Sequence, residues 1–302
     1  MREKVLKFGS SKGLVGILTE PAPGSPVKPT VVLLNSGILH HVGASRLYVQ
    51  VARRLAAAGH AAFRFDFSGI GDSESRKDTL GAADSAVVET REAMDLLAAR
   101  RNNDQFILFG LCSGADMGFK VAGDDPRVVG LIQLDPFAYR TRGYWVRHYG
   151  PKLLRPAPWK NFIEVRYRKW QASRTPAPAE ESTEYVAPEY RRIFPPREQV
   201  EAKLRTLVDR GVQLLNIFSD GQPDHINHGA QYARAFPNLD FMGRLRVEYV
   251  PFAAHTFTDL NDQARVIATI AEWAEQVWNG TAASPDTATG ATPDFKAVAT
   301  GS

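Results

Sequence analysis

An α/β fold built on a mostly parallel sheet is what this sequence predicts, and three features predict it. Apolar runs of strand length recur eight times, stretches with helical spacing of apolar residues separate most of them, and one strand leads directly into a glycine-flanked turn followed by a helix. In chain order the strands are expected at Lys4–Phe8 (KVLKF), Leu14–Thr19 (LVGILT), Thr30–Asn35 (TVVLLN), Ala61–Phe65 (AAFRF), Gln105–Phe109 (QFILF), Val128–Leu134 (VVGLIQL), Val212–Phe218 (VQLLNIF) and Arg244–Val250 (RLRVEYV). Apolar residues recur every three or four positions over Ser45–Ala58, Ala83–Ala99, Ala115–Ala122, Gln199–Arg210, Asn227–Ala235 and Leu260–Trp278, which are the expected helices.

Two regions break this rhythm. Between about Pro136 and Pro196 the chain is rich in Arg, Tyr, Trp and Pro and lacks strand alternation, after which helix and strand patterning resumes, as expected of an inserted cap. Residues 280–302 are mostly Ala, Thr, Gly, Ser and Pro, with too few large apolar groups to offset their ordering entropy, so a disordered tail is expected. The predicted organisation is core over 1–135, cap over 136–198, core again over 199–279, then the tail.

Composition narrows the function. The chain has 302 residues, 44% of them apolar and 23% charged, which suits an enzyme-sized globular protein. Its net charge of +4 is too modest to imply nucleic acid by itself. A single cysteine, Cys112, excludes internal disulfides and multi-cysteine metal sites. The opening MREKVLKFGSSKG has no signal-like apolar run, and no stretch reaches the roughly 18 consecutive apolar residues of a membrane span, so a soluble, cytoplasmic protein is expected.

The chemistry centres on Gly110-Leu111-Cys112-Ser113-Gly114-Ala115, which follows FILF and precedes a helical stretch. A strand–turn–helix elbow forces its tip residue into strained backbone angles, so the residues two before and two after the tip must be small. Gly110 and Gly114 flank Cys112 in that register, whereas centring on Ser113 would place Leu111 in the crowded position. A thiol at a helix start gains from the helix dipole, and a nearby base can take its proton.

The base is expected at His255, which follows the last strand in RVEYVPFAAHTF and precedes the final helix. The acid that orients it is expected after VQLLNIF, in SDGQPDH, where Asp224 is preferred over Asp220 because Asp220 lies near the strand end and suits a turn. The oxyanion hole needs the N–H of Ser113 and a second from the loop Asn35-Ser36-Gly37-Ile38-Leu39-His40-His41, assigned to Ile38 or Gly37. No metal or other cofactor is expected, since His40 and His41 have no clustered third ligand in that loop. FRFDFSGIGDSES lacks the third glycine of a dinucleotide fingerprint and reads as a structural turn.

Taken together, NSGILHHVG, RFDFSGIGDS, GLCSGA, SDGQPDH and PFAAHTF, in this order over residues 14 to 278, resemble the α/β-hydrolase superfamily. More narrowly, the chain resembles capped hydrolases of the exosortase-associated and biosynthetic-cluster acyl-hydrolase kind. The resemblance implies an eight-stranded sheet, a Cys112, Asp, His255 triad, and acyl transfer through a covalent intermediate.

From Arg140 to Trp170 nine basic residues face one glutamate and are interleaved with aromatics. A solvated face is the ordinary reading of such a run. The functional one is a cap whose Arg140, Tyr144, Trp145, Trp159 and Trp170 receive an acyl group on an anionic carrier, such as coenzyme A or the phosphopantetheine arm of an acyl carrier protein. Neither nucleic acid nor membrane is expected as a partner. The function expected is cysteine-dependent acyl transfer, as hydrolase or acyltransferase. Two alternatives compete: non-covalent proton transfer by His255, and a hydrolase-like binding protein.

Overall fold

The computed structural model of the chain describes residues 1–153, 192, 194–221, 223 and 225–279. Its eight strands are β1 (Arg2–Phe8), β2 (Leu14–Glu20), β3 (Thr30–Leu34), β4 (Ala62–Phe65), β5 (Phe106–Leu111), β6 (Val128–Leu134), β7 (Gln213–Ser219) and β8 (Leu245–Val250). The helices are α1 (Leu47–Ala57), α2 (Ala82–Arg101), α3 (Ser113–Asp124), α4 (Arg142–Leu153), α5 (Arg197–Asp209), α6 (Gln231–Arg234) and α7 (Leu260–Asn279).

All eight strands join one sheet in the order β1-β2-β4-β3-β5-β6-β7-β8. The β1–β2 and β2–β4 pairs are antiparallel and every later pair is parallel. The parallel strands are apolar runs because both their faces are covered. Val31, Leu33, Ile107, Phe109 and Ile132 pack with α1 and α7 on one face, while Val32, Leu34, Leu108 and Leu131 point to the other, under α2, α3 and α5. This period-two alternation sends each strand's side chains into two separate cores.

Register positions the functional loops. Leu34 pairs with Gly110, Leu111 with Leu134, Leu134 with Ile217 and Ser219 with Val250, so the carboxyl ends of β3, β5, β6, β7 and β8 finish side by side. Ligand sites of open α/β sheets lie outside such a row of strand ends.

Among the elements whose extents differ from expectation, two bear on the site. β5 runs on to Leu111, up to the nucleophile turn, because Leu111 is buried and still paired with β6. The helix expected over Asn227–Ala235 contracts to the single turn of α6, since Gln231 turns back to bond the carbonyls of Tyr139 and His225 instead of facing a helical neighbour. Of the expected cap, α4 follows β6, and residues 154–191 and 193 lie outside the described residues, as does the tail 280–302. No helix among the described residues is long and apolar enough to cross a membrane.

The tightest steric demand falls at the elbow. A Cβ on Gly110 would collide with the Gly114 backbone, and one on Gly114 would lie 2.5 Å from the Asn35 carbonyl oxygen. Gly110→Ala should therefore cost about 1–3 kcal/mol in denaturant unfolding. Gly150→Ala on α4, where nothing lies within 4 Å, should leave the midpoint unchanged or raise it.

Candidate active site

Cys112 stands between β5 and α3 with φ 54° and ψ −116°, a strained backbone that turns its side chain out at the tip. Three bonds hold the turn: the Cys112 N–H donates to the Leu134 carbonyl at 2.9 Å, the Asp116 N–H to the Cys112 carbonyl at 3.0 Å, and the Leu111 N–H to the buried Tyr48 hydroxyl at 3.1 Å. Burial pushes the Tyr48 phenol upward, so it stays a neutral support.

His255 follows β8 on a tight loop in which Phe252 and Phe257 both have positive φ. Gly221 backs this loop so closely that a Cβ would strike the His255 backbone. The His255 Nδ1 lies 2.6 Å from Asp135 Oδ2. A carboxylate only accepts, so Nδ1 carries the proton and Nε2 is left for the Cys112 thiol, with which the imidazole also hydrogen-bonds. The bonds to Asp135 and then to Cys112 raise the His255 pKa to about 9, against the opposing effect of burial.

Among the described residues the carboxylate that meets His255 is Asp135, a residue the sequence expectation did not name. It is fully buried at the end of β6 with φ 50°. Its Oδ1 accepts the Ser219 N–H at 2.7 Å, and its Oδ2 accepts the Ser219 hydroxyl at 2.6 Å beside His255. Asp220 instead accepts the Tyr249 hydroxyl at 2.7 Å and does not meet His255, while Asp224 lies outside the described residues. The reason is the register: the residue after β6 falls between the nucleophile turn and β7, directly under the β8 loop. The available signal was a carboxylate closing a mostly apolar strand, a costly residue unless it is bonded.

Of the expected oxyanion donors, Ser113 begins α3, where helical N–H groups lack intrahelical partners. Gly37 has φ 55° in a turn closed by the Leu39 N–H on the Ser36 carbonyl, and its own N–H donates to Ser113 Oγ at 2.7 Å. The Ile38 side chain is 90% exposed. The loop is braced from below by Asp66: Oδ1 accepts from Asn35 Nδ2 and the His41 N–H, and Oδ2 from His41 Nδ1 and the Asp72 N–H. Burial would raise the Asp66 pKa, but the bonds from His41 and Asn35 hold it below the usual carboxylate range. His40, His41, Asp66 and Asp72 bring one donor atom each within 4.8 Å of one another. These are the described side chains that could approach a metal ion, but Asp66 is already filled by N–H donors and acts as a strut between the β3 and β4 loops.

Arg192 was not anticipated. It pairs with Asp116 on α3, donates to the Asp135 carbonyl at 2.9 Å and the Cys112 carbonyl at 3.3 Å, and lies 5.1 Å from the ring centres of both Phe137 and Phe194. Beside it runs a cleft of about 540 Å³ that reaches Ser113 and is lined by Met117, Phe119, Phe137 and Val200 among others. Of the expected cap residues, Tyr144 is buried with its hydroxyl on the Pro223 carbonyl at 2.9 Å, a packing role. Trp145 is 41% exposed, and Arg140 lies over both rings at 5.7 and 5.2 Å. Trp159 and Trp170 lie outside the described residues.

A raised histidine pKa has two measurable consequences. By NMR the His255 ring should titrate near pH 9, and Asp135→Asn should move the midpoint down toward the ordinary 6.5 while Asp220→Asn leaves it in place. Because the folded state holds this proton more tightly than the unfolded chain, the His255 contribution to stability is whole below about pH 6.5 and is lost as pH rises through about 9. The melting-temperature difference between wild type and His255→Ala should shrink across that window.

The comparisons agree with this fold. An α/β serine hydrolase without lid from Xanthomonas campestris superposes with a TM-score of 0.51 at 16% identity, covering 92% of this chain and 94% of its own. An α/β serine hydrolase homologue from Coxiella burnetii gives 0.53 at 16% identity over 90% and 96%, and an esterase from Pyrococcus furiosus gives 0.55 at 14% over 92% and 91%. No curated protein matches the sequence. The family model described as serine aminopeptidase, S33, matches residues 26–187, more than half of the chain, and carries the β3 loop, the elbow and Asp135 within it. The chain belongs to the serine aminopeptidase S33 family of the α/β-hydrolase superfamily.

Proposed function

We propose that the protein is a cysteine-dependent acyl-transfer enzyme of the esterase or thioesterase type, working through an acyl-Cys112 intermediate. One observation carries this reading: the elbow tip is a thiol that shares a hydrogen bond with a histidine whose other nitrogen is held by a buried carboxylate. The fold relatives are described as a serine hydrolase and an esterase; in this reading the Cys112 thiol does the work of a serine hydroxyl.

In the proposed cycle the Cys112 proton resides on His255, whose raised pKa favours a thiolate–imidazolium pair stabilised by Asp135. The thiolate attacks the acyl carbonyl, the C–S bond forms, and the carbonyl electron pair moves onto oxygen. That oxyanion collapses, expelling the alcohol or thiol, which leaves with the proton from His255. Neutral His255 then takes a proton from water or another acceptor, which attacks the thioester and releases Cys112. The high affinity of His255 for its proton suits the acid half of this cycle, while the strained elbow keeps the sulfur at the tip.

The substrates proposed are acyl groups on coenzyme A or a carrier protein. Supporting this are the basic and aromatic run from Arg140 to Trp170 and the exposed face of α4, where Arg142, Trp145, Arg147 and Tyr149 carry no acidic neighbour on the helix. We take residues 136–198 to be the cap over the site, with oxyanion stabilisation from Ser113 and the Gly37–Ile38 loop.

Intact-protein mass measured after incubation with acyl-pantetheine thioesters tests the mechanism. Wild type should gain one acyl group and Cys112→Ala none; turnover in Cys112→Ala at the wild-type rate would sink the proposal. His255→Ala should acylate at least about 100-fold more slowly. Cys112→Ser should shift activity toward ordinary esters.

A further inference from the structure

Within that cysteine mechanism, on which this step rests, the oxyanion hole has an unusual feature. The loop amide best placed to serve it, Gly37 N–H, is engaged: it donates to the Ser113 side chain at 2.7 Å. Ser113 is the residue immediately after the nucleophile, and it borders the cleft that reaches the elbow. Its oxygen is thus an acceptor toward Gly37, and among the described residues its own O–H proton has no acceptor. An atom 2.7 Å from the Gly37 nitrogen sits at the distance at which that amide would meet an oxyanion.

We infer that the Ser113 hydroxyl is itself an oxyanion donor, polarised from behind by the Gly37 N–H. The hole then presents two donors from one residue, the Ser113 N–H and its O–H, with the loop amide in the second layer. Three physical points support the assignment. A hydroxyl that already accepts a hydrogen bond becomes a stronger donor, because successive dipoles align. The positive φ of Gly37 and the Ser36–Leu39 turn hold the supporting amide in place, and the Asp66 strut holds the turn, so the hydroxyl is positioned without cost at the moment of reaction. Finally, a soft, bulky sulfur forms longer bonds than a hydroxyl oxygen would, so the tetrahedral centre stands further from the elbow, where a side-chain donor reaches further than a backbone amide.

The test is steady-state kinetics on an acyl-pantetheine thioester with wild type, Cys112→Ala, Ser113→Ala and Ser113→Thr, each checked by thermal melting. With Cys112→Ala silent, Ser113→Ala should lower kcat by about 10- to 100-fold with KM within about threefold, as for loss of a donor made only in the transition state. Ser113→Thr, which keeps the hydroxyl, should recover most of that loss. An aldehyde inhibitor, which forms a tetrahedral adduct on the thiol, should weaken in Ser113→Ala by the same factor as kcat/KM.

Two results would overturn the donor assignment alone. Ser113→Ala turning over as fast as wild type, or faster, would mean that Gly37 serves the oxyanion directly and the hydroxyl merely masks it. A loss that Ser113→Thr does not restore, accompanied by a lowered melting temperature, would mean a packing role. Turnover that persists in Cys112→Ala would instead sink the cysteine mechanism, and the donor role in it, whatever the Ser113 variants show.

Discussion

A buried carboxylate with every near neighbour a donor organises the reactive end of this molecule. Asp135 is fully removed from water, and an ionised carboxylate in that position is tolerated only if hydrogen bonds replace its hydration. Two come from Ser219 on β7 and one from His255 beyond β8. Three strand ends are thereby tied to a single group, and the His255 ring is oriented with Nδ1 toward Asp135. The Cys112 N–H on the Leu134 carbonyl completes the link, because Leu134 is the residue before Asp135. Cys112 and His255 are thus both bonded to the short stretch Leu134–Asp135, which couples the ends of β5, β6 and β8.

The parts of this arrangement that were legible in the sequence are those dictated by local chemistry. Both faces of the central strands are covered, so TVVLL, FILFGL and LLNIF are predominantly apolar, interrupted only by the buried Thr30 and Asn216, and stand out without any context. The elbow was legible because sterics there allow only glycine at two fixed offsets, and His255 because it follows the last strand. Asp135 was not, although the apolar pattern of its strand is plain. It stands beside Pro136, where composition changes, and two carboxylates lie at the later strand where such an acid was sought. Sequence spacing alone does not say whether a carboxylate at a strand end faces the histidine or, like Asp220, a tyrosine hydroxyl on the next strand. Arg192 is less legible still: it meets Asp116 across 76 positions from a proline-rich stretch with no periodicity of its own.

Membership of a serine family gives the thiol its meaning. The fold is shared with structures described as two α/β serine hydrolases and an esterase, at sixteen or fewer identical residues in a hundred. Such distance shows how little of the sequence the fold demands: two core layers, small residues at the elbow and bonded strand-end polar groups. The Asp66 strut illustrates the last of these. Four N–H donors from the β3 and β4 loops converge on it, and the turn that carries Gly37 is rigid for that reason and not through any packing of Ile38, which stands in solvent.

The long segment between β6 and α5 is fastened to the active site at both ends. It departs at Asp135, whose carboxylate holds the base, and it returns at Arg192, whose guanidinium binds the carbonyls of Cys112 and Asp135 and the carboxylate of Asp116. The side chain is only 12% exposed and lies against Phe137 and Phe194, so the charge has traded water for two carbonyls, a carboxylate and two aromatic faces. Each carbonyl that it binds belongs to a residue with positive φ, and a guanidinium satisfying both stabilises two strained turns together. The arrangement of Cys112 and Asp135 is therefore not held by the sheet alone: Arg192, far along the chain from both, bonds the carbonyl of each.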